Sequence, residues 1–473
     1  MPLPKTQHAC SVCLPTWDSV LGYEEQREKI LRKLKTGYPR FILNPATTRL
    51  FHEATEALAD KGSKAVVFPS RDAAQRAQRF VEKRSGSASR VASYEGLQAL
   101  IVTEADVPKA MEYWRYSGEI VSSRQAEKVV RGKQTSDFNP NSLRKRLAKY
   151  GGYKASDVYL YENGMAALFA VHRFVNQLLP GRKTLQLEFP YVDSMRVQQH
   201  FGNGVVFLNE AEGESFELAL QRISKGEFSA VFCEAPSNPL LRTLDLASVA
   251  SACREGGVPL VVDDTVCSVA NIDISGFADI VLSSLTKWIS GKGDVMGGQV
   301  TACSHSAFHS SLIEFLEENC PGGSRIFASD ARVLSRNITD FKQRMAISNE
   351  NGEAIADMLF AHSGVENVFY PKYTTPELYA ALKREGGGYG ALISFTLKNK
   401  KKAPKFFDLL RVSKGPSLGT DFTLACPYTL LAHYDELPWA EACGIEKSLI
   451  RISVGCEKKE LILEAFEEAL NNL

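Results

Sequence analysis

Strand-like and helix-like stretches alternate from about Phe138 onward, and this alternation restricts the fold more than any other feature of the 473-residue chain. Short apolar runs occupy 158–161, 184–188, 230–234, 259–262 and 278–282, with longer stretches of helical character between most of them. Such a pattern is typical of a mostly parallel sheet covered by helices. Because ligands of these sheets bind at the carboxyl ends of the strands, chemically active side chains should directly follow the apolar runs.

The charge balance excludes several classes of partner. The chain has 56 Lys and Arg against 55 Asp and Glu, so its formal net charge is +1. This gives no broad electrostatic reason to bind nucleic acid or an anionic membrane surface.

The sequence has no apolar run near the roughly 18–20 residues of a membrane span, and residues 1–5 lack the apolar core of a signal peptide. We therefore expect a cytoplasmic enzyme without nucleic-acid or membrane partners.

The ten cysteines are scattered along the chain, several of them in apolar contexts that suit reduced, packed thiols. His8, Cys10 and Cys13 resemble half of a zinc site. A second Cys-x-x-Cys pair that would complete a four-ligand shell is missing from the sequence. We therefore expect no metal site.

The stretch 283–294 places Lys287 among hydroxyls and glycines, directly after the apolar run 278–282. A lysine amine can form an imine with an aldehyde, and the hydroxyls of Ser284 and Thr286 can hydrogen-bond a phosphate. Pyridoxal phosphate carries both groups. A polar loop with a solvated lysine fits the same residues, so this motif alone leaves both interpretations open.

Four other strand ends carry groups that suit the same cofactor. Gly164 opens an alanine-rich helix whose first N–H groups can hold a phosphate, and Tyr191 can stack on a pyridine ring. Asn238 stands in a proline-bracketed turn, and Asp263 can pair with a pyridine nitrogen and keep it protonated. A tight turn, core packing or a helix cap would explain each residue singly. Together with Lys287 they indicate a pyridoxal phosphate site.

These motifs stand in the order found in one enzyme family. Residues 163–167, 234–241, 262–265, 284–298 and 449–457 resemble the cystathionine gamma-synthase group of the Cys/Met-metabolism, or transsulfuration, pyridoxal-phosphate enzymes. The resemblance extends from about residue 138 to the end of the chain. The long front segment resembles the fungal-type branch of these synthases.

The resemblance implies a role for each matching residue. Lys287 would be the Schiff-base lysine and proton shuttle, with Asp263 on the pyridine nitrogen and Tyr191 stacked on the ring. The phosphate would be bound by the following backbone amides and hydroxyls: Gly164, Met165, Ser284 and Thr286. The substrate carboxylate would be bound by Arg451, near Asn238 and the Ser417-Leu418 loop. That loop has Pro416 where cystathionine-handling members commonly have Glu.

Family members usually carry Tyr-x-Arg shortly before an Asn-Pro-Thr, and this arm reaches the phosphate of the neighbouring subunit. Here Gln134-Thr135-Ser136 precede Asn139-Pro140, so the arm is displaced. Arg124, in Ser122-Ser123-Arg124, is our preferred replacement and would bind the cofactor. Arg40, in Tyr38-Pro39-Arg40, is the second candidate.

The resemblance also implies an α/β protein with the type I pyridoxal-phosphate transferase fold, which is aspartate aminotransferase-like. We expect an N-terminal α/β extension and arm at 1–137, a cofactor domain with a mostly parallel sheet at 138–332, and a smaller α+β domain at 333–473. We also expect a homo-oligomer, either a dimer or a tetramer with shared active sites.

The expected reaction is gamma-replacement on an O-acyl-homoserine by cysteine, which gives cystathionine. A carbon–sulfur lyase or an O-acyl-homoserine sulfhydrylase would use the same cofactor residues and remains an alternative. A second alternative is a non-catalytic regulatory paralogue whose front segment binds a partner. Retention of Lys287, Asp263 and Arg451 argues against the paralogue.

Overall fold

The computed structural model describes residues 4–132 and 138–473. The displaced Gln134-Thr135-Ser136 lies outside the described residues, as do the first three residues of the chain. Within the described ranges the strands form three sheets. No helix of these ranges is both long and apolar enough to cross a membrane.

The first sheet lies in the front segment and is antiparallel, with the order β1-β3-β2. Its strands are β1 (Ser63–Phe68), β2 (Arg90–Tyr94) and β3 (Leu97–Thr103). The helices around it are α1 (Trp17–Glu24), α2 (Glu28–Leu31), α3 (Pro45–Leu58), α4 (Arg71–Ser85), α5 (Val107–Ser117) and α6 (Ser123–Arg131).

The second sheet has seven strands in the order β4-β10-β9-β8-β7-β5-β6. The strands are β4 (Val158–Tyr161), β5 (Thr184–Leu187), β6 (Val205–Leu208), β7 (Val231–Glu234), β8 (Leu260–Asp263), β9 (Ile280–Ser284) and β10 (Gly298–Ala302). The helices are α7 (Asn141–Gly151), α8 (Gly164–Leu178), α9 (Val192–Phe201), α10 (Gly213–Ser224), α11 (Leu246–Gly256), α12 (His309–Asn319) and α13 (Ala328–Asn337). Strand β10 is antiparallel to both of its neighbours, and the other neighbouring pairs are parallel. Most of the strands are buried along their whole length because helices cover both faces of the sheet.

The third sheet has the order β11-β12-β15-β14-β13 and is antiparallel except for its last pair. Its strands are β11 (Val365–Phe369), β12 (Leu392–Leu397), β13 (Ser413–Lys414), β14 (Leu424–Pro427) and β15 (Ile450–Ser453). The helices are α14 (Phe341–Ala361), α15 (Pro371–Thr374), α16 (Pro376–Ala380), α17 (Ala403–Leu409), α18 (Tyr428–Ala432), α19 (Leu437–Ala442) and α20 (Lys459–Asn471). The expected fold class, an α/β protein with one large mostly parallel sheet and a smaller sheet after it, is confirmed.

A buried ion pair lies where the front segment meets the large sheet. Arg76 of α4 donates to Glu119 through Nε at 3.1 Å and through a second, shorter bond. The Tyr113 hydroxyl also donates a hydrogen bond to Glu119, at 2.6 Å. Burial alone would raise the pKa of the Glu119 carboxyl, but the Arg76 guanidinium overrides this and holds it at about 2. The folded chain therefore strongly prefers the ionised carboxylate.

Glu119→Gln should lower the free energy of unfolding by about 3 kcal/mol at pH 7, because it leaves the Arg76 guanidinium buried without its charge partner. The ionised carboxylate stabilises the fold fully above its ordinary pKa of 4.5, and this contribution disappears as the pH falls towards about 2. Denaturant unfolding of both proteins at several pH values measures the difference. The control is Glu104→Gln, which removes an exposed pair with Lys64 and should change stability by less than about 1 kcal/mol. Equal losses in the two variants would contradict this prediction.

Candidate active site

A cavity of about 1110 Å³ opens at the carboxyl ends of the parallel strands and extends to the third sheet. Most residues singled out in the sequence line it: Gly164, Met165, Tyr191, Asn238, Asp263, Ser284, Lys287, Ser417, Leu418 and Arg451. Thr286 lies beneath the wall, where its hydroxyl accepts a hydrogen bond from the Gly297 N–H at 3.2 Å. The fold therefore gathers side chains that are up to about 290 positions apart in the sequence.

Lys287 lies just beyond β9, and its Nζ donates a hydrogen bond to the Ser417 hydroxyl at 3.2 Å. Burial and the nearby Arg451 guanidinium lower the pKa of this amine to about 7. The loop carrying Ser417 approaches the lysine backbone closely, because a Cβ on Gly419 would lie 2.5 Å from the Trp288 nitrogen. Gly419 also has a φ of +74°, so only glycine fits this contact without strain.

The start of α8 provides an anion site. The Asn163 side chain caps the helix by accepting the Ala166 N–H at 3.1 Å. The preceding N–H groups, those of Gly164 and Met165, have no intrahelical partner and border the cavity. Gly164 sits so close to the β9 end that a Cβ there would lie 3.1 Å from the Ser284 Cβ. Two N–H groups and a hydroxyl at a helix start suit a phosphate.

Two carboxylates stand side by side at the ends of β7 and β8. Glu234 and Asp263 are register partners, and both line the cavity. Burial raises the pKa of both groups, and the Asp263 charge raises that of Glu234 further. A cation between them would remove this repulsion. A protonated pyridine nitrogen is such a cation, so the residues present fit pyridoxal phosphate at its amine-reactive, phosphate and ring-nitrogen positions.

Arg451 of β15 is buried in the opposite wall. Its Nη1 donates to the Asn238 Oδ1 at 3.1 Å, and its Nη2 donates to the Pro416 carbonyl at 2.7 Å. The guanidinium lies 4.9 Å from the centre of the Tyr428 ring. A planar cation held on three sides in this way suits bidentate binding of a substrate carboxylate.

The two candidate arm arginines have different surroundings. Arg124 pairs with the buried Asp330 at 2.9 Å and does not line the cavity. Arg40 does line it, donating to Asp193 and to the Tyr191 hydroxyl, both at 2.8 Å. In this chain Arg40, the second candidate, reaches the cavity. Arg124, the preferred replacement, does not, because it binds Asp330 of α13.

Tyr38 accompanies Arg40 into the cavity, and its ring centre lies 5.0 Å from the Lys287 amine. Tyr38-Pro39-Arg40 keeps the Tyr-x-Arg spacing, which is the signal that could have ranked it first. Sequence reasoning also missed Glu234 and Tyr428, for which the sequence offers no comparable signal.

Cys10 lines the cavity as well. The described part of the chain contains no cluster of His, Cys, Asp or Glu that could hold a metal.

Comparisons with known proteins agree with this geometry. Residues 115–471 match the family described as Cys/Met metabolism PLP-dependent enzyme, and residues 46–122 match the N-terminal domain of the fungal trans-sulfuration enzymes. The chain is 31% identical to the cystathionine gamma-synthase of Neurospora crassa, across 99% of this chain and 97% of that protein. It is 28% identical to the Saccharomyces cerevisiae enzyme of the same name, with the same coverage.

Solved structures agree as well. The crystal structure of cystathionine gamma synthase from Xanthomonas oryzae pv. oryzae in complex with cystathionine superimposes with a TM-score of 0.60 at 29% identity. That superposition covers 72% of this chain and 88% of the bacterial one. The expected family and its fungal-type branch are thus confirmed. The chain belongs to the Cys/Met-metabolism enzymes that depend on pyridoxal phosphate, and pyridoxal phosphate is its cofactor.

Proposed function

We propose that this chain is a cystathionine gamma-synthase, which replaces the gamma substituent of an O-acyl-homoserine by cysteine and forms cystathionine. The observation that carries the proposal is that one cavity of about 1110 Å³ is lined by both Lys287 and Arg451 and also by residues of the front segment such as Glu24. A replacement reaction needs space for two amino acids, and a lyase that cleaves cystathionine needs the same space, so the choice of the synthase reaction rests on sequence similarity. The full-length similarity to the Neurospora and Saccharomyces synthases supports the same reaction.

Each residue of the site has a task in this reaction. Arg451 and Asn238 bind the carboxylate of the homoserine ester and bring its α-carbon towards Lys287. Bound pyridoxal phosphate supplies the electron sink that makes the protons on the α- and β-carbons acidic. Lys287, whose pKa is lowered to about 7, would accept the α-proton, pass it on so that its amine is neutral again, and then accept a β-proton. The acyloxy group can then leave the γ-carbon, and the cysteine sulfur adds there.

Further residues hold the groups that do not react. Asp263 stabilises positive charge at the pyridine nitrogen, which keeps the ring an electron acceptor. Ser284 and the first N–H groups of α8 hold the phosphate. Arg40 binds the Tyr191 hydroxyl and thereby fixes the ring that we expect to stack on the cofactor.

Lys287→Ala should lower cystathionine formation from O-acyl-homoserines and cysteine by about 10²–10⁴-fold, since it removes the proton acceptor. It should also remove the yellow absorbance of the purified protein. The exposed Lys183→Ala is the control and should retain both properties. A panel of homoserine esters and thiols identifies the donor and acceptor. An enzyme that cleaves cystathionine briskly and does not form it would be a lyase, and one that accepts only sulfide would be a sulfhydrylase.

The depressed pKa of Lys287 can be measured directly in cofactor-free protein. Acylation of Lys287 by a trace of acetic anhydride should be half-maximal near pH 7, because only the neutral amine reacts. Exposed lysines should reach half-maximal acylation at about pH 10.4. Peptide mass spectrometry with isotopic labels gives both curves. A Lys287 curve that coincides with those of the exposed lysines would contradict a buried neutral amine.

The family resemblance further supports a cytoplasmic homo-oligomer, a dimer or a tetramer, and light scattering measures its size. Tyr38 and Arg40 reach the cavity of their own chain, so a subunit should not need the arm of its neighbour. Arg40→Ala should lower kcat/KM by about 10–100-fold, because it removes the guanidinium that binds both the Tyr191 hydroxyl and the buried Asp193.

Hybrid oligomers of Arg40→Ala and Lys287→Ala subunits distinguish the two arrangements. With an arm from the same chain, no site contains both native residues, and activity should stay at the level of the Arg40→Ala subunits alone. Recovery of about a quarter of the wild-type activity or more would instead show that the arm crosses between subunits.

A further inference from the structure

The outer end of the active-site cavity, called here the mouth, is lined by charged residues that the reaction at Lys287 does not use. They come from four separate segments: Glu24 at the end of α1, Arg115 in α5, Arg196 in α9, and Asp435 and Glu436 after α18. The front segment contributes two of these, Glu24 and Arg115. The mouth is therefore partly built by the front segment.

Two of the mouth's charged groups neutralise each other. Arg196 donates to Glu436, which also accepts a hydrogen bond from the ring of His433 at 2.9 Å. Glu112 also lines the cavity, and it pairs with Arg84 at 2.6 Å. Of the five charged residues named above, this leaves Arg115 as the other cation and Glu24 and Asp435 as the other carboxylates. Any charged ligand would interact mainly with these three side chains.

Glu24 and Asp435 approach each other because their segments are tied together. The Tyr434 hydroxyl donates to Glu25 at 2.9 Å, which brings the two neighbouring carboxylates near each other. Within residues 4–132 and 138–473, neither Glu24 nor Asp435 forms an ion pair. Burial and the Asp435 charge raise the pKa of Glu24 to about 7. A ligand cation between the two carboxylates would relieve this repulsion.

Arg115 is a cation in the mouth that lacks a close anionic partner of its own within the described part of the chain. Its closest carboxylate is Asp193, at 3.8 Å, and the other oxygen of Asp193 already binds Arg40. The Arg115 Nε is buried and has no hydrogen-bond partner in the described structure. The side chain is 41% exposed, so a ligand can reach its guanidinium from the cavity. A carboxylate would complete its hydrogen bonding.

The passage from the mouth to the reacting end also contains unsatisfied polar atoms. Tyr428 and His433 line the cavity, and each is at least 97% buried. Yet the Tyr428 hydroxyl and the His433 Nε2 have no hydrogen-bond partner among the described residues. Buried polar atoms are almost always bonded, so these two can accept or donate a further hydrogen bond when the wall of the cavity adjusts to a polar ligand.

We propose that the mouth binds the amino-acid end of the acceptor cysteine, an inference that rests on the proposed synthase reaction. Glu24 and Asp435 hold the ammonium group of the cysteine, and Arg115 holds its carboxylate. The thiol then points inward past Tyr428 towards the γ-carbon of the donor. The front segment is thereby a determinant of acceptor specificity.

Truncated thiols combined with variants test each contact separately. Cysteamine lacks the carboxylate of cysteine, and 3-mercaptopropionate lacks the ammonium group. The wild-type enzyme should prefer cysteine to either thiol by about tenfold or more in kcat/KM, the effect of one charge-assisted hydrogen bond in a partly exposed site. Arg115→Gln should reduce the preference over cysteamine to within twofold while keeping the preference over mercaptopropionate. Glu24→Gln with Asp435→Asn should do the reverse.

Glu28→Gln is the matched control, because it removes a carboxylate of the same front segment that is 74% exposed and outside the mouth. It should preserve both preferences. Variants that lower kcat/KM equally for all three thiols would overturn the inference, since a merely structural role has no reason to distinguish them. A wild-type enzyme that forms no cystathionine from any homoserine ester would overturn the proposed reaction itself, and with it the acceptor assigned to the mouth.

Discussion

Burial of ionisable groups at the carboxyl edge of the seven-stranded sheet is the constraint on which the site depends. Lys287, Glu234 and Asp263 are all held where water is scarce, and their pKa values move towards the neutral forms. A carboxylate in this setting favours a cationic ring nitrogen, and an amine in this setting is available as a base. The same desolvation therefore prepares both the cofactor site and the proton acceptor.

The front segment is tied to both larger sheets by backbone hydrogen bonds. The Cys10 N–H donates to the Gly293 carbonyl at 2.7 Å, near Lys287 in the chain. The Leu14 N–H donates to the Lys414 carbonyl at 3.1 Å, directly before the loop that carries Ser417. The segment thus crosses between the lysine side and the carboxylate side of the cavity. Its contribution of Tyr38, Arg40 and Glu24 to the cavity wall follows from this path.

Several properties of the chain follow from the order of its residues alone. Continuous apolar runs predict parallel strands that are buried on both faces. Because parallel strands all run in the same direction, the polar residues that follow these runs lie at the same edge of the sheet. For this reason the sequence pattern already groups Gly164, Asp263 and Lys287 into one site. The arm is harder to assign, because the only local feature that distinguishes Arg40 from Arg124 is the Tyr-x-Arg spacing of Tyr38-Pro39-Arg40, which is too short a motif to be decisive by itself.

The sequence by itself therefore determined the fold class, the family and the set of groups that follow the strands, since these depend on local pattern and on order along the chain. Only the tertiary structure decided which arginine reaches the cavity, because Arg124 pairs with Asp330 and Arg40 pairs with Asp193, and both aspartates are distant in the sequence. It alone also decided the composition of the mouth. Glu24 and Asp435 are more than 400 positions apart, and their proximity results from packing that no local pattern records.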